Sequence, residues 1–240
     1  MKPSLALPES IKDKLPLQVH QPVTQKVRKI LLLCGILSSL FYVAMNIFVP
    51  MLFEGYNAAA QTVSELSAIG APTRPLWVML VPVYALLTVA FGWGIWKSAG
   101  RNLPLRVVGT LMVVYGAIGL FWPPMHQRQA LAAGAATLTD TLHIVFTMVV
   151  VPLMLLIIGF GAAAFGKRFG RYSIGTIVVL LLFGTLTGLN APRLEADLPT
   201  PWIGVWERIS IGAYMLWVVV LAIMLLRAEK KDGTINESHA

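Results

Sequence analysis

Six stretches of this chain are apolar over about the length needed to cross a bilayer: Ile30 to Phe53, Leu76 to Trp96, Leu105 to Trp122, His143 to Phe165, Tyr172 to Asn190 and Val205 to Leu226. Hydrocarbon about 30 Å thick is spanned by roughly 20 helical residues at about 1.5 Å each. Within it every backbone N–H and C=O must be satisfied inside the segment, which leaves such runs the helix. Only 12% of the residues are charged, against roughly 25% in a water-soluble domain. The expected fold class is therefore all-α: a polytopic membrane protein with six transmembrane helices in one bundle and no separate soluble domain.

The charges that remain are sorted along the chain. Fifteen of the 19 Lys and Arg fall before the first run, between the second and third, between the fourth and fifth, or after the last. Only Arg74, Arg128, Arg193 and Arg208 lie on the other side. Because cationic loops stay on the cytoplasmic side, this predicts an N-in/C-in protein of the cell membrane with three loops facing outward. The net charge of +8 is then a topology signal that calls for no nucleic acid. The lipid bilayer is the partner, with contact to anionic headgroups a secondary effect. Residues 1–29 carry Pro3, Pro8, Pro16 and Pro22 and no short apolar core before a cleavage site, so they read as a cytoplasmic tail. Residues 227–240 read as a second tail without structure. Cys34, the single cysteine, falls inside the first run as a free buried thiol.

The outward segment 54–75 is too polar to cross. Within it Ala58 to Ile69 is expected to form a short helix on the outer surface, with Val63, Leu66 and Ile69 on one side; Gly70, Pro72 and Pro75 then break it. Pro82 should kink the second span. Gly109, Gly116, Gly119, Gly159, Ala163, Gly184 and Gly188 predict close helix approach. Gly109-Thr-Leu-Met-Val recurs as Gly175-Thr-Ile-Val-Val, and the pair Asp140 and His143 as Glu207 and Ser210, at offsets of 66 and 67 residues. Such recurrence suggests that hairpins 3/4 and 5/6 arose by duplication.

The groups able to do chemistry gather on the outward side. Asp140 and His143 are three apart and share a helix face; the plain alternative is that Thr139 or Asp140 caps the fourth span. His126 follows the rigid exit Trp122-Pro-Pro-Met. His126, Asp140 and His143 are the ligand types of a site for zinc or another divalent metal. Glu65 or Glu207 would complete four ligands or act as general base on a bound water. Ser64 and Arg208, beside these acids in sequence, are the candidates for binding a ligand. The spacing matches no diagnostic metal motif. Ser64 beside His126 or His143, with Asp140 orienting the ring, is a nucleophilic alternative that lacks a Gly-x-Ser-x-Gly elbow. The middles of the spans carry only Ser38, Ser39, Asn46, Thr88, Thr185 and Thr187, which disfavours an ion-coupled path.

TVSELSAIGAP after the first span, WPPMH at the exit of the third, TDTLH opening the fourth and GVWERI leading into the sixth resemble the domain-of-unknown-function 998 family of small prokaryotic membrane proteins. The resemblance covers roughly Ile30 to Leu226 and implies Ser64, Glu65, Pro72, His126, Asp140, His143, Glu207 and Arg208 as site residues, with no activity attached. A second similarity is to ceramidase-like membrane hydrolases, which hold Ser, Asp and His around zinc near one membrane face. Their late span carries paired histidines, and the late span here has none. The expectation is an outward polar pocket for a metal or for a lipid or small amphiphilic ligand, with metal-dependent hydrolysis of that ligand as its catalytic form. The alternatives are a noncatalytic partner-binding or lipid-organising component and, third, a small-solute transporter.

Overall fold

The computed structural model describes residues 21–237, with side chains described over 25–229, so the first twenty residues of the expected N-terminal tail lie outside the described residues. The chain forms α1 (Gln21–Phe48), 3₁₀ turns at Val49–Leu52 and Ser64–Ser67, α2 (Arg74–Ser98), α3 (Leu103–Gly119), α4 (Arg128–Ala132), α5 (Leu138–Ala164), α6 (Lys167–Leu189), α7 (Ala191–Glu195) and α8 (Ile203–Glu237). Among the described residues there is no strand, only an isolated bridge between Ile69 and His126.

Five of the helices, α1, α2, α5, α6 and α8, are long and apolar enough to cross a membrane. The sixth expected span, α3, is apolar but has 17 residues, about 25 Å. It stops at Gly119 and not at Trp122. The chain turns at Leu120 and Phe121, and Pro123 and Pro124, having no N–H, cannot carry a helix on. At the other end of the chain, α8 continues to Glu237 through residues expected to be without structure. Ala228 to Lys231 are good helix formers, and Glu229 accepts a 2.8 Å ion pair from Arg28 of α1.

Each long helix packs on the next. α1 lies against α2, α2 against α3, α3 against α5, α5 against α6, α6 against α8, and α8 returns to α1. Arg28–Glu229 and the Asn102 Nδ2 bond to the Ala164 carbonyl (3.2 Å) tie the end that carries the short links. The longer connections, 49–73, 120–137 and 190–202, gather at the opposite end.

Glycine sets the tightest contact in this ring. A Cβ on Gly92 would stand 2.7 Å from the Val113 nitrogen, and one on Gly109 2.7 Å from the Trp96 nitrogen, so α2 and α3 touch backbone to backbone as small residues allow. Gly116 meets Ala85 and Val89 in the same way. At Gly159, Gly184 and Gly188 nothing lies within 4 Å of such a Cβ; the close approach expected there is not made, because these positions face away from the ring. Phe91, Met112, Ile157, Tyr214 and Trp217 form the buried centre. Trp217 Nε1 donates to Ser173 Oγ (2.9 Å), and the Tyr214 hydroxyl donates to the Met112 sulfur (3.3 Å). Interhelical polar contacts of this kind are worth about 0.6–1.7 kcal/mol in a bilayer. The perimeter, with Leu37, Leu86, Met148 and Leu182 exposed, is more apolar than a soluble monomer tolerates; lipid covers it.

Of the expected surface helix at Ala58 to Ile69 only the 3₁₀ turn Ser64–Ser67 forms. Thr62, Val63, Glu65 and Leu66 are buried against the end of the bundle and do not lie on its outer face.

Candidate functional site

Residues 58–63 do not wind into a helix because partners far away in sequence take their backbone groups. Arg208 Nη1 donates to the carbonyls of Ala58 (2.7 Å) and Gln61 (3.1 Å). The Gly204 N–H donates to Ala59 O (2.9 Å), and Thr200 Oγ1 and Arg128 Nη2 both donate to Ala60 O (2.9 and 3.1 Å). The Tyr56 hydroxyl donates to Thr62 O (2.7 Å) while accepting from Arg208 Nη2 (2.7 Å). The Val63 N–H donates to Glu207 Oε2 (2.5 Å). A helix would have needed the Ala58 and Ala59 carbonyls for Thr62 and Val63. Gly204 is what lets α8 come this close, since a Cβ there would run into the Ala58 and Gln61 carbonyl oxygens. Burial, opposed in part by Arg208, pushes the Tyr56 phenol up to about 12, so it stays a neutral donor.

Glu65 and Arg128 form the centre of this cap. Arg128 Nε donates to Oε1 (2.7 Å) and Nη2 to Oε2 (2.9 Å), with Nη1 on Thr200 Oγ1 (3.1 Å). The Thr62 N–H (2.7 Å) and Oγ–H (3.0 Å) add to Oε2, and Gln61 Nε2 (3.3 Å) to Oε1. The two residues are 2% and 8% exposed. The hydrogen bonds that Arg128 donates to Glu65 hold its guanidinium above its ordinary value. A carboxylate has about four lone-pair sites, and five donors already converge on this one. Glu65, expected as a general base or fourth metal ligand, has no acceptor capacity left for either role.

His126, Asp140 and His143 do not meet as one ligand set. Asp140 Oδ1 accepts the His126 N–H (2.7 Å), and Oδ2 faces His126 Nδ1 (2.9 Å). Oδ2 also takes the N–H (2.8 Å) and hydroxyl (3.0 Å) of Thr137, the residue capping α5, as in a capping box. His143, nearly one turn on, looks elsewhere: Nε2 lies 3.2 Å from Ser64 Oγ and Nδ1 2.8 Å from the Pro123 carbonyl. Among the described residues no three His, Cys, Asp or Glu side chains gather into a metal-binding group. The residue types suited a metal, but Asp140 spends both oxygens on His126 and on the start of its own helix.

The Trp122 indole N–H also lies 3.1 Å from His143 Nδ1, and one ring nitrogen cannot both donate to Pro123 and accept from Trp122. The shorter carbonyl contact is attractive only if Nδ1 carries the proton, whereas the Trp122 bond needs Nδ1 bare and the proton on Nε2. With Nδ1 protonated, Nε2 is left as an acceptor for the Ser64 hydroxyl. Ser64 is half-buried and His143 is 7% exposed.

Glu207, one turn into α8, clamps the Val63 N–H, and Arg208 binds carbonyls through Nη1 and Tyr56 through Nη2. Pro72 is exposed in the turn that leads into α2. Arg128, Thr200, Tyr56 and the Pro123 carbonyl belong to the cap without having been singled out in the sequence. Arg128 carried a signal: between α3 and α5 it is the lone Lys or Arg, with His126 the only other basic side chain.

Five membrane-length apolar helices ending in a hydrogen-bonded polar cap define an all-helical, multi-pass membrane protein. Over residues 36–224 the sequence matches the family described as protein of unknown function (DUF998), and the chain belongs to that family. No curated protein and no solved structure matches it.

Proposed function

We propose that this protein is a membrane-boundary acyl hydrolase in which Ser64 is the nucleophile and His143 its base. One observation carries the reading: the hydroxyl lies 3.2 Å from Nε2 of an imidazole whose other nitrogen is fixed at 2.8 Å on the Pro123 carbonyl. A nucleophile within hydrogen-bond reach of a base that a third group orients is the arrangement such chemistry requires. Here a backbone carbonyl takes the orienting place in which Asp140 was expected. Ser64 Oγ attacks the ester carbon as Nε2 takes its proton. His143 then returns that proton to the departing alcohol, and water, activated by the same nitrogen, releases the acid. Phe121, Leu138 and Leu142, within five residues of Trp122 or His143 in sequence, are exposed and offer apolar surface suited to an acyl chain.

The six-pass topology belongs to the same reading. The contacts of Glu65 with Arg128 and of Ile69 with Met125 join the segments on either side of α2 and α3 at one end, as they must if α3 crosses in spite of its length. The distribution of Lys and Arg sets that end outside the cell. Its four arginines support this further, since Arg74, Arg128, Arg193 and Arg208 all donate to protein oxygens and are not free cations. The second reading, a noncatalytic component with a structural polar belt, is favoured by the saturation of Glu65.

A fluorophosphonate probe, which traps activated serines, tests the proposal on the purified protein. Ser64 should be labelled, and His143→Ala should slow labelling by about 10²–10⁴-fold, the usual share of a general base. Acidification should slow it too, because a protonated Nε2 cannot accept the hydroxyl proton. Labelling no faster than in heat-denatured protein, or unchanged in His143→Ala, overturns the hydrolase in favour of the structural belt.

A further inference from the structure

A polar cavity of about 250 Å³ opens at the cap end, lined by Phe53, Glu54, Gln61, Glu65, Gln127 and Gln129. We infer that it receives the uncharged polyhydroxyl headgroup of an amphiphile, a sugar or polyol, and, because Glu65 of its lining directly follows Ser64 in the chain, that this is the substrate class of the proposed hydrolase, on which this inference rests. Its volume lies below the roughly 300–1,000 Å³ of pockets for drug-sized ligands, which suits one small headgroup unit and no acyl chain.

The groups left free in the lining decide the chemistry. Glu65 is saturated by its five donors and neutralised by Arg128. Gln61 has its carbonyl oxygen on the Asn57 N–H (2.8 Å) and one amide hydrogen on Glu65. No hydrogen bond forms to the side chains of Gln127, Gln129 or Glu54 among the described residues, and Gln127 is half-buried. Each free carboxamide offers two donors and an acceptor side by side, which is what a pair of neighbouring hydroxyls complements. Phe53, held against Tyr56 at 5.5 Å between ring centroids, supplies an apolar wall for the C–H face of a sugar ring.

Charged headgroups fit less well. A phosphate or sulfate would meet no free cation, because every guanidinium nitrogen of Arg128 is bound, and it would face Glu54. A quaternary ammonium would find one aromatic wall where a cage uses several, and one exposed carboxylate.

The test uses the full chain in phosphatidylcholine nanodiscs, with saturation-transfer NMR of four probes below micelle formation: octyl glucoside, octyl phosphocholine, octyl sulfate and methyl glucoside. Measurements on the parent and on Ser64→Ala keep turnover from imitating binding. Octyl glucoside should bind saturably and about tenfold more weakly in Gln127→Leu and Gln129→Leu, with melting temperatures unchanged. Equal binding of the phosphocholine or sulfate probe, or an affinity for octyl glucoside that neither substitution alters, overturns the inference. Methyl glucoside binding as tightly as octyl glucoside overturns the headgroup form of it in favour of a free sugar. Loss of Ser64 labelling with glucoside binding intact strikes the hydrolase alone, so the two failures are told apart.

Discussion

The hairpin from α3 to α5 and the hairpin from α6 to α8 are built on one plan and put to different uses. Each runs from a long helix through a five-residue helix, α4 or α7, into another long helix. Each carries near the start of that last helix an acid that accepts a backbone N–H from a loop: Asp140, in the first turn, from His126, 14 residues before it, and Glu207, one turn into its helix, from Val63, 144 residues away. Of the features that recur in the sequence, the acids Asp140 and Glu207 thus share a task, each holding a loop. The divergence begins one turn later, where His143 reaches Ser64 while Ser210, at the matching place, keeps a buried hydroxyl that finds no partner among the described residues. Their arginines differ as well. Arg128 is buried against Glu65, and Arg193 is exposed with a single bond to Pro199 O. A shared scaffold therefore fixes where the cap is held, and a few side chains of the first hairpin decide what it can do.

Substitutions made in pairs measure that divergence. The largest effect should come from Arg128→Leu, which leaves Glu65 buried without a counter-charge and should cost about 3–5 kcal/mol in detergent unfolding; Arg193→Leu should stay within about 0.5 kcal/mol. Equal losses would mean that the two loops carry equal weight. Next comes the glycine pair. Gly109→Ala drives a methyl group into the Trp96 backbone and should cost about 1–3 kcal/mol. Gly175, with nothing within 4 Å, should gain up to about 1 kcal/mol on the same change; a loss there would show a neighbour on that face. Smallest is the pair of acids. Asp140→Asn gives up the charge that faces His126 and Thr137 and should cost about 1–2 kcal/mol, whereas Glu207→Gln keeps an oxygen for the Val63 N–H and should cost about 0.5 kcal/mol. Thermal melts of both in one lipid would reverse the comparison if Glu207→Gln proved the worse.

The long helices were legible because a bilayer demands a run of fixed length, and Leu138 to Ala164 or Arg74 to Ser98 offers little else. The cap was legible in its residue types and not in its pairings. Val63, Leu66 and Ile69 have helical spacing, yet the donors that decide that segment, Gly204, Thr200, Arg128 and Arg208, come from other parts of the chain. The sequence offers His143 two roles, metal ligand beside Asp140, three residues away, or base beside Ser64 with Asp140 orienting the ring. Its actual partners, Ser64 and the Pro123 carbonyl, are 79 and 20 residues away, and one of them is a backbone atom that no residue pattern reveals.

The shortness of α3 bears on the lipid around it. In a six-pass bundle its 17 residues fall about 5 Å short of an average hydrocarbon layer, while its neighbour α5 has 27. A bilayer thins beside a span that is too short. In that arrangement the dip would form where α3 gives way to Trp122 and Pro123, next to His143, and would lower the ester layer of the surrounding lipid toward the proposed nucleophile Ser64. Membrane thickness would then act on this protein as a control of its own, favouring thin bilayers over thick, sterol-stiffened ones.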